Sequence, residues 1–84
     1  MYAIVVKKSA LRELAQISPP YKKKIVDAID NLANNPKPEG VKKLKGDEAY
    51  RIRVADYRII YTVEDVLKIV EIQRIRHRKD AYKP

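Results

Sequence analysis

Eighty-four residues suffice for one domain, residues 1–84, and a domain of that size buries too modest a share of its surface to be stable by a wide margin. Hydrophobic residues at 45% and charged residues at 36% exclude a disordered chain, and no apolar run nears the roughly 20 residues that a membrane-spanning helix requires. Nineteen Lys+Arg against 11 Asp+Glu give +8, which suits a polyanionic partner, while the lack of Cys excludes disulfides, thiolate zinc and a cysteine nucleophile, and the single His77 excludes a multi-histidine metal site.

Residues 2–7 are β-rich and apolar and read as a strand ended by Lys7-Lys8; they are too short for a signal-peptide core and no basic segment precedes them, so residence in the cytoplasm is expected. Ser9 suits the N-cap of a helix over 10–17, where Leu11, Leu14 and Ala15 follow helical spacing. Ser18-Pro19-Pro20 stops that helix and opens the next. Tyr21, Ile25, Ala28, Ile29, Leu32 and Ala33 form its apolar stripe, and Asn34-Asn35-Pro36 ends it. The tight joint makes a helical hairpin.

Pro36, Pro38 and Gly40 predict a loop over 36–47, loaded with Lys42, Lys43 and Lys45. Three strands should follow, over 50–54, 57–63 and 66–76. Ala55-Asp56 joins the first two as a hairpin without the usual Asn-Gly signal. The last strand alternates poorly: Val66, Val70 and Ile72 fall on one face and Leu67, Ile69 and Ile75 on the other, so either both faces are partly buried or a bulge shifts the phase. The expected fold is α+β in the order β-α-α-β-β-β, an antiparallel sheet with an N-terminal helical hairpin over one face, covering Tyr50, Ile52, Ile59 and Tyr61.

Period 2 places Arg51, Arg53 and Arg58 on the opposite face, on neighbouring strands. Three converging guanidiniums with no acid among them destabilise a fold unless they receive an anion, and arginine's planar fork is suited to phosphate. Arg74, Arg76 and Arg78 extend the basic run, and Lys42, Lys43 and Lys45 reach it from the loop. His77 is the one side chain whose ordinary pKa is near neutrality. It is either a strand-end residue without a role or a proton donor.

Lys43-Leu44-Lys45-Gly46, then Tyr50-Arg51-Ile52-Arg53-Val54, Asp56-Tyr57-Arg58-Ile59-Ile60-Tyr61, and finally His77-Arg78 with Tyr82, resemble the RelE/ParE toxin superfamily over most of the chain. The resemblance implies a toxin of a type II toxin–antitoxin system. In its RelE-like form it is a ribosome-dependent endoribonuclease that cuts messenger RNA in the A site. The ribose 2′-OH attacks its own phosphate, leaving a 2′,3′-cyclic phosphate and a 5′-OH, with no metal or other cofactor. The implied catalytic residues are Arg51, Arg53, Arg58, Arg78 and Tyr82, and the implied RNA-binding residues are Lys42, Lys43, Lys45, Arg74, Arg76 and His77. The implied partners are a cognate RelB-like antitoxin, in a possible toxin–antitoxin hetero-oligomer, together with the ribosome and messenger RNA, and no membrane.

The chain departs from the best-known RelE proteins in one respect: the two alternating strand residues are Arg51 and Arg53 rather than lysines. Arginine does not lose its proton, so neither serves as a base, and that role falls to Tyr82 or water. The alternative within the superfamily is a ParE-like inhibitor of DNA gyrase without nuclease activity, and a third reading is a plain nucleic-acid-binding or antitoxin-neutralised module with no activity left. The same fold carries all three, so only the site discriminates.

Overall fold

The computed structural model describes residues 1–44 and 48–79. The chain order is β1 (Ala3–Val6), α1 (Lys8–Ala15), α2 (Pro19–Asn31), β2 (Lys42–Lys43), β3 (Ala49–Val54), β4 (Tyr57–Glu64) and β5 (Ile69–His77). The strands form one sheet in the order β1-β5-β4-β3-β2, with the helices over one face. Among the described residues no helix is long and apolar enough to cross a membrane.

The α+β meander and its helical hairpin match the expectation, and the sheet is mixed rather than wholly antiparallel. β1 runs parallel to β5, with Ala3 opposite Ile69 and Val6 opposite Ile72. The alternation of a strand fixes which face it buries and says nothing about its neighbour's direction. β2 was not expected either. Lys42 pairs with Arg51 and Lys43 with Tyr50 inside the segment read as loop, because two lysines carry no hydrophobic signal.

α1 begins at Lys8, with Lys7 rather than Ser9 at its N-cap. The Ser9 hydroxyl instead donates to the Gln73 carbonyl at 3.2 Å. α2 starts where the prolines place it, with Ser18 at the N-cap; the Ser18 carbonyl, not its hydroxyl, receives the N–H groups of Tyr21 and Lys22. Its stripe buries Ile25, Ile29 and Leu32, while Tyr21 stays exposed.

The irregular alternation of the last strand resolves as a bulge. Val66 and Leu67 belong to the exposed turn before β5. The register shifts between Ile60, opposite Arg74, and Tyr61, opposite Ile72, so Gln73 is the extra residue. That single insertion turns Val70, Ile72 and Ile75 all toward the helices, where each is buried. Ala55, in the β3–β4 turn, takes a left-handed φ of 53° that usually falls to glycine.

Tyr61 is fully buried on β4, and its hydroxyl donates to the Pro36 carbonyl at 2.7 Å, tying the long loop to the core. Burial, with the nearby Tyr50 second, pushes its pKa up to about 12. A folded-state value above the ordinary 10 means that the native state keeps a proton that the unfolded chain has lost between pH 10 and 12. The corresponding stability is present below pH 10 and is lost as pH rises toward 12, up to about 2 kcal/mol. Tyr61→Phe should cost roughly 1–3 kcal/mol at neutral pH, since the Pro36 carbonyl loses its donor. It should also flatten the alkaline limb relative to the parent. Denaturant midpoints at pH 7, 10 and 11.5 read both effects.

Candidate nucleic-acid interface

The face of the sheet away from the helices carries the cations. Arg53 on β3 pairs directly with Arg58 on β4, and Arg58 with Arg76 on β5, giving one arginine per strand in a single row. The next row holds Arg51 opposite Ile60, with Lys42 of β2 beside Arg51. A shallow cleft of about 310 Å³ opens here, lined by Gly40, Lys42, Arg51, Arg53 and Arg58. Among the described residues its lining holds four cationic side chains and no carboxylate. Gly40 takes a φ of 87° at the rim.

Arg58 is 8% exposed, the one buried charged side chain among the described residues. The ladder phase explains how near Arg53 comes to it. The Arg78 N–H donates to the Asp56 carbonyl at 2.7 Å, so residues 56 and 58 turn their backbone groups toward β5 and away from β3. Arg53 and Arg58 therefore form a non-hydrogen-bonded pair, the kind in which Cα atoms approach to about 4.5 Å and side chains lie closest. An anion held between two such guanidiniums relieves their repulsion.

The remaining sequence-derived residues separate. Arg78 follows β5, exposed, on the same parity as Arg76 and so on the arginine side. Lys43 is exposed and alternates to the side opposite Lys42. Arg74 is held at the β5 edge by Glu13 of α1: its Nη2 donates to Oε2 at 3.0 Å and its Nε to Oε1 at 3.2 Å. Those bonds raise the Arg74 pKa above its usual value. His77 alternates away from Arg76 and Arg78, and its ring packs edge-on against Tyr57 at 5.2 Å between centroids. Its Nδ1 accepts the Lys79 N–H at 3.2 Å. Lys45 and Tyr82 lie outside the described residues. Among the described residues no group of three His, Asp or Glu side chains is arranged to hold a metal ion.

Reading the sequence missed Glu13. Its Oε1 also accepts the Ile75 N–H at 2.8 Å, and it stands one helical turn beyond Ser9. The Ser9–Glu13 spacing puts both on one side of α1, but nothing local says that this side meets a strand edge.

The family described as "ParE toxin of type II toxin-antitoxin system, parDE" matches residues 4–82. A protein of Methanocaldococcus jannaschii that carries the name toxin RelE1 is 35% identical over 86 residues, covering 98% of this chain and 96% of its own length. Among solved structures, a chain of the archaeal RelE–RelB complex from Pyrococcus horikoshii superposes with a TM-score of 0.83 at 28% identity, covering 92% of this chain and 94% of that one. A chain of the RelB–RelE antitoxin–toxin complex from Methanococcus jannaschii gives 0.76 at 30% identity, covering 93% and 94%.

Proposed function

We propose that this chain, which belongs to the ParE toxin family of type II toxin–antitoxin systems, is a RelE-like toxin that cleaves messenger RNA in the ribosomal A site. The observation that carries this reading is the row Arg53, Arg58, Arg76 beside Arg51 and Lys42, which gathers five cationic residues on one face of the sheet. The similarity to the RelE1-named protein along nearly its whole length supports it.

In this reading the ribose 2′-oxygen attacks the adjacent phosphorus as the P–O5′ bond breaks. The 2′-hydroxyl gives up a proton and the departing O5′ gains one. Charge gathers on the phosphorane oxygens, where fixed guanidiniums lower the barrier. Arg58 and Arg78 hold the scissile phosphate, and Arg51 and Arg53 bind flanking phosphates without exchanging protons. Tyr82 orients the reacting nucleotide, and Lys42 and Lys45 add charge at the rim. The reaction requires no metal. A RelB-like antitoxin covers this face in the cytoplasm, as an antitoxin accompanies the toxin in the RelE–RelB complexes of Pyrococcus horikoshii and Methanococcus jannaschii. Arg74 contributes least, since Glu13 already neutralises it.

A ParE-like attack on DNA gyrase is the second reading, favoured by the ParE description of the matching family. Expression should arrest growth, and mapped transcript ends should show cuts only in translated messages. Intact transcripts together with trapped gyrase–DNA complexes would assign the chain to the gyrase inhibitors instead. The free protein should also bind short single-stranded RNA through phosphates. With about four arginine–phosphate contacts, log K should fall with log[salt] at a slope near −3, read by fluorescence anisotropy of a labelled RNA. A slope near zero would remove the arginine face from RNA binding.

A further inference from the structure

The outer edge of β5 is completed in an unusual way. β1 pairs with it only from Ile69 to Ile72, so the outward backbone groups beyond that point need other partners. The α1 segment supplies them one at a time. The Lys7 N–H donates to the Ile72 carbonyl at 3.0 Å, the Ser9 hydroxyl to the Gln73 carbonyl at 3.2 Å, and Glu13 accepts the Ile75 N–H at 2.8 Å. Then α1 ends. Because Arg78 turns its N–H inward to Asp56, residues 76 and 78 face β4, and Ile75 and His77 turn their remaining backbone groups outward. Among the described residues nothing meets the Ile75 carbonyl or the His77 N–H.

Ile75 and His77 both line a cavity of about 320 Å³ between the end of α1 and β5. Glu13, Gln16 and Ile17 of the α1 end line it together with Tyr57 and His77, whose rings pack edge-on. Arg76 lines it as well, and Arg76 is also a member of the arginine row through its pairing with Arg58.

We propose that this cavity binds one nucleobase by its Watson–Crick edge, on the Ile75 carbonyl and the His77 N–H, while the phosphate of the same nucleotide lies toward Arg76. A C=O and an N–H two residues apart on one strand edge lie side by side. They complement an exocyclic amine next to a ring nitrogen, the pattern adenine and cytosine present. Tyr57 and His77 supply the aromatic surface that unstacked RNA bases use. The volume is at the lower end for small-molecule sites, room for one ring system. An added peptide strand is disfavoured here, because Ser9 and Glu13 already occupy the edge on the N-terminal side and a strand needs a run of open positions.

The proposal rests on RNA as the ligand of the arginine face and deepens that reading. Its test is binding of adenosine 5′-monophosphate to the free toxin, followed by amide and ring NMR signals, with ribose 5-phosphate as the control. The nucleotide should shift the His77 amide and the Tyr57 and His77 rings, whereas the sugar phosphate should move only signals near Arg58 and Arg76. Gln16→Phe, made at an exposed lining position, should fill the cavity and weaken adenosine monophosphate binding about tenfold or more, leaving ribose 5-phosphate unchanged. His77→Pro, which lacks the N–H, should bind more weakly than His77→Ala, which keeps it. If His77→Pro does not fold, Gln16→Phe decides alone. Identical shifts from both ligands would overturn the site, as would a His77 amide that responds only to an antitoxin peptide. Cleavage is not part of the readout. Loss of the site leaves the endonuclease reading to its own test, and intact transcripts with a nucleotide bound at His77 would sink that reading alone.

Discussion

Replacing Arg58 by alanine should lower RNA cleavage by about 10²–10³-fold, the usual loss for removing one fixed donor from a developing anion. No other arginine stands in the middle of the row, with Arg53 on one side and Arg76 on the other. Its burial also pre-positions it, whereas Arg53 is exposed and Arg51 half-buried. Arg58→Lys keeps the charge and loses the planar fork, so it should fall between the parent and alanine. The measurement is single-turnover cleavage of messenger RNA on programmed ribosomes, at equal concentrations of folded toxin. A fully active Arg58→Ala protein would reduce the arginine row to a binding surface. Arg53→Ala tests the same geometry from the other side. It removes a like charge directly opposite Arg58, so it should raise stability by roughly 0.2–1 kcal/mol while weakening RNA binding. Opposite signs in the two assays identify a site that gives up stability to hold an anion.

The second large effect lies beneath that face. Ile59→Ala should destabilise the domain by about 2–5 kcal/mol. Ile52, Ile59 and Ile75 stand in one cross-strand row on the helix side, at 8%, 0% and 2% exposure. Removing the middle one leaves a cavity that its branched neighbours on either side cannot close. Small domains hold only about 5–15 kcal/mol in total. The melting temperature should therefore fall by at least about 10 °C, since each kcal/mol is worth several degrees in a domain this small. Val66→Ala, in a turn where the side chain is 87% exposed, should stay within about 0.5 kcal/mol of the parent. A melting shift for Ile59→Ala no larger than that for Val66→Ala would show that the row is not the centre of the core.

Much of this was legible in the residues. Period 2 alone separates Arg51, Arg53 and Arg58 from Ile52, Ile59 and Tyr61, and the structure puts them on opposite faces. The same parity separates His77 from Arg76 and Arg78, although all three sit in one basic run. The bulge showed in advance only as broken alternation, because its placement depends on which β4 residue Gln73 fails to meet. The long-range contacts could not be read. Ser9 has every local attribute of a helix cap, and its hydroxyl goes instead to a carbonyl 64 positions away. Arg74 looks like its neighbours until Glu13 reaches it from α1. Local patterns describe what each segment buries, and they leave open which strand edge each helix meets.

The parallel pairing of β1 with β5 joins position 3 to position 69, the first strand of the sheet to the last. Contacts so distant in sequence are the slow ones to form, because a long loop must close before any of them stabilises the product. During synthesis the first strand has nowhere to go until the last strand has been made. The arginine face is bound by the same order of events, since Arg58 emerges well before the Arg76 that completes its row. A partly made copy of this protein is therefore not a weaker version of the finished one, and the cell that makes it carries no assembled cationic face until Arg76 has emerged.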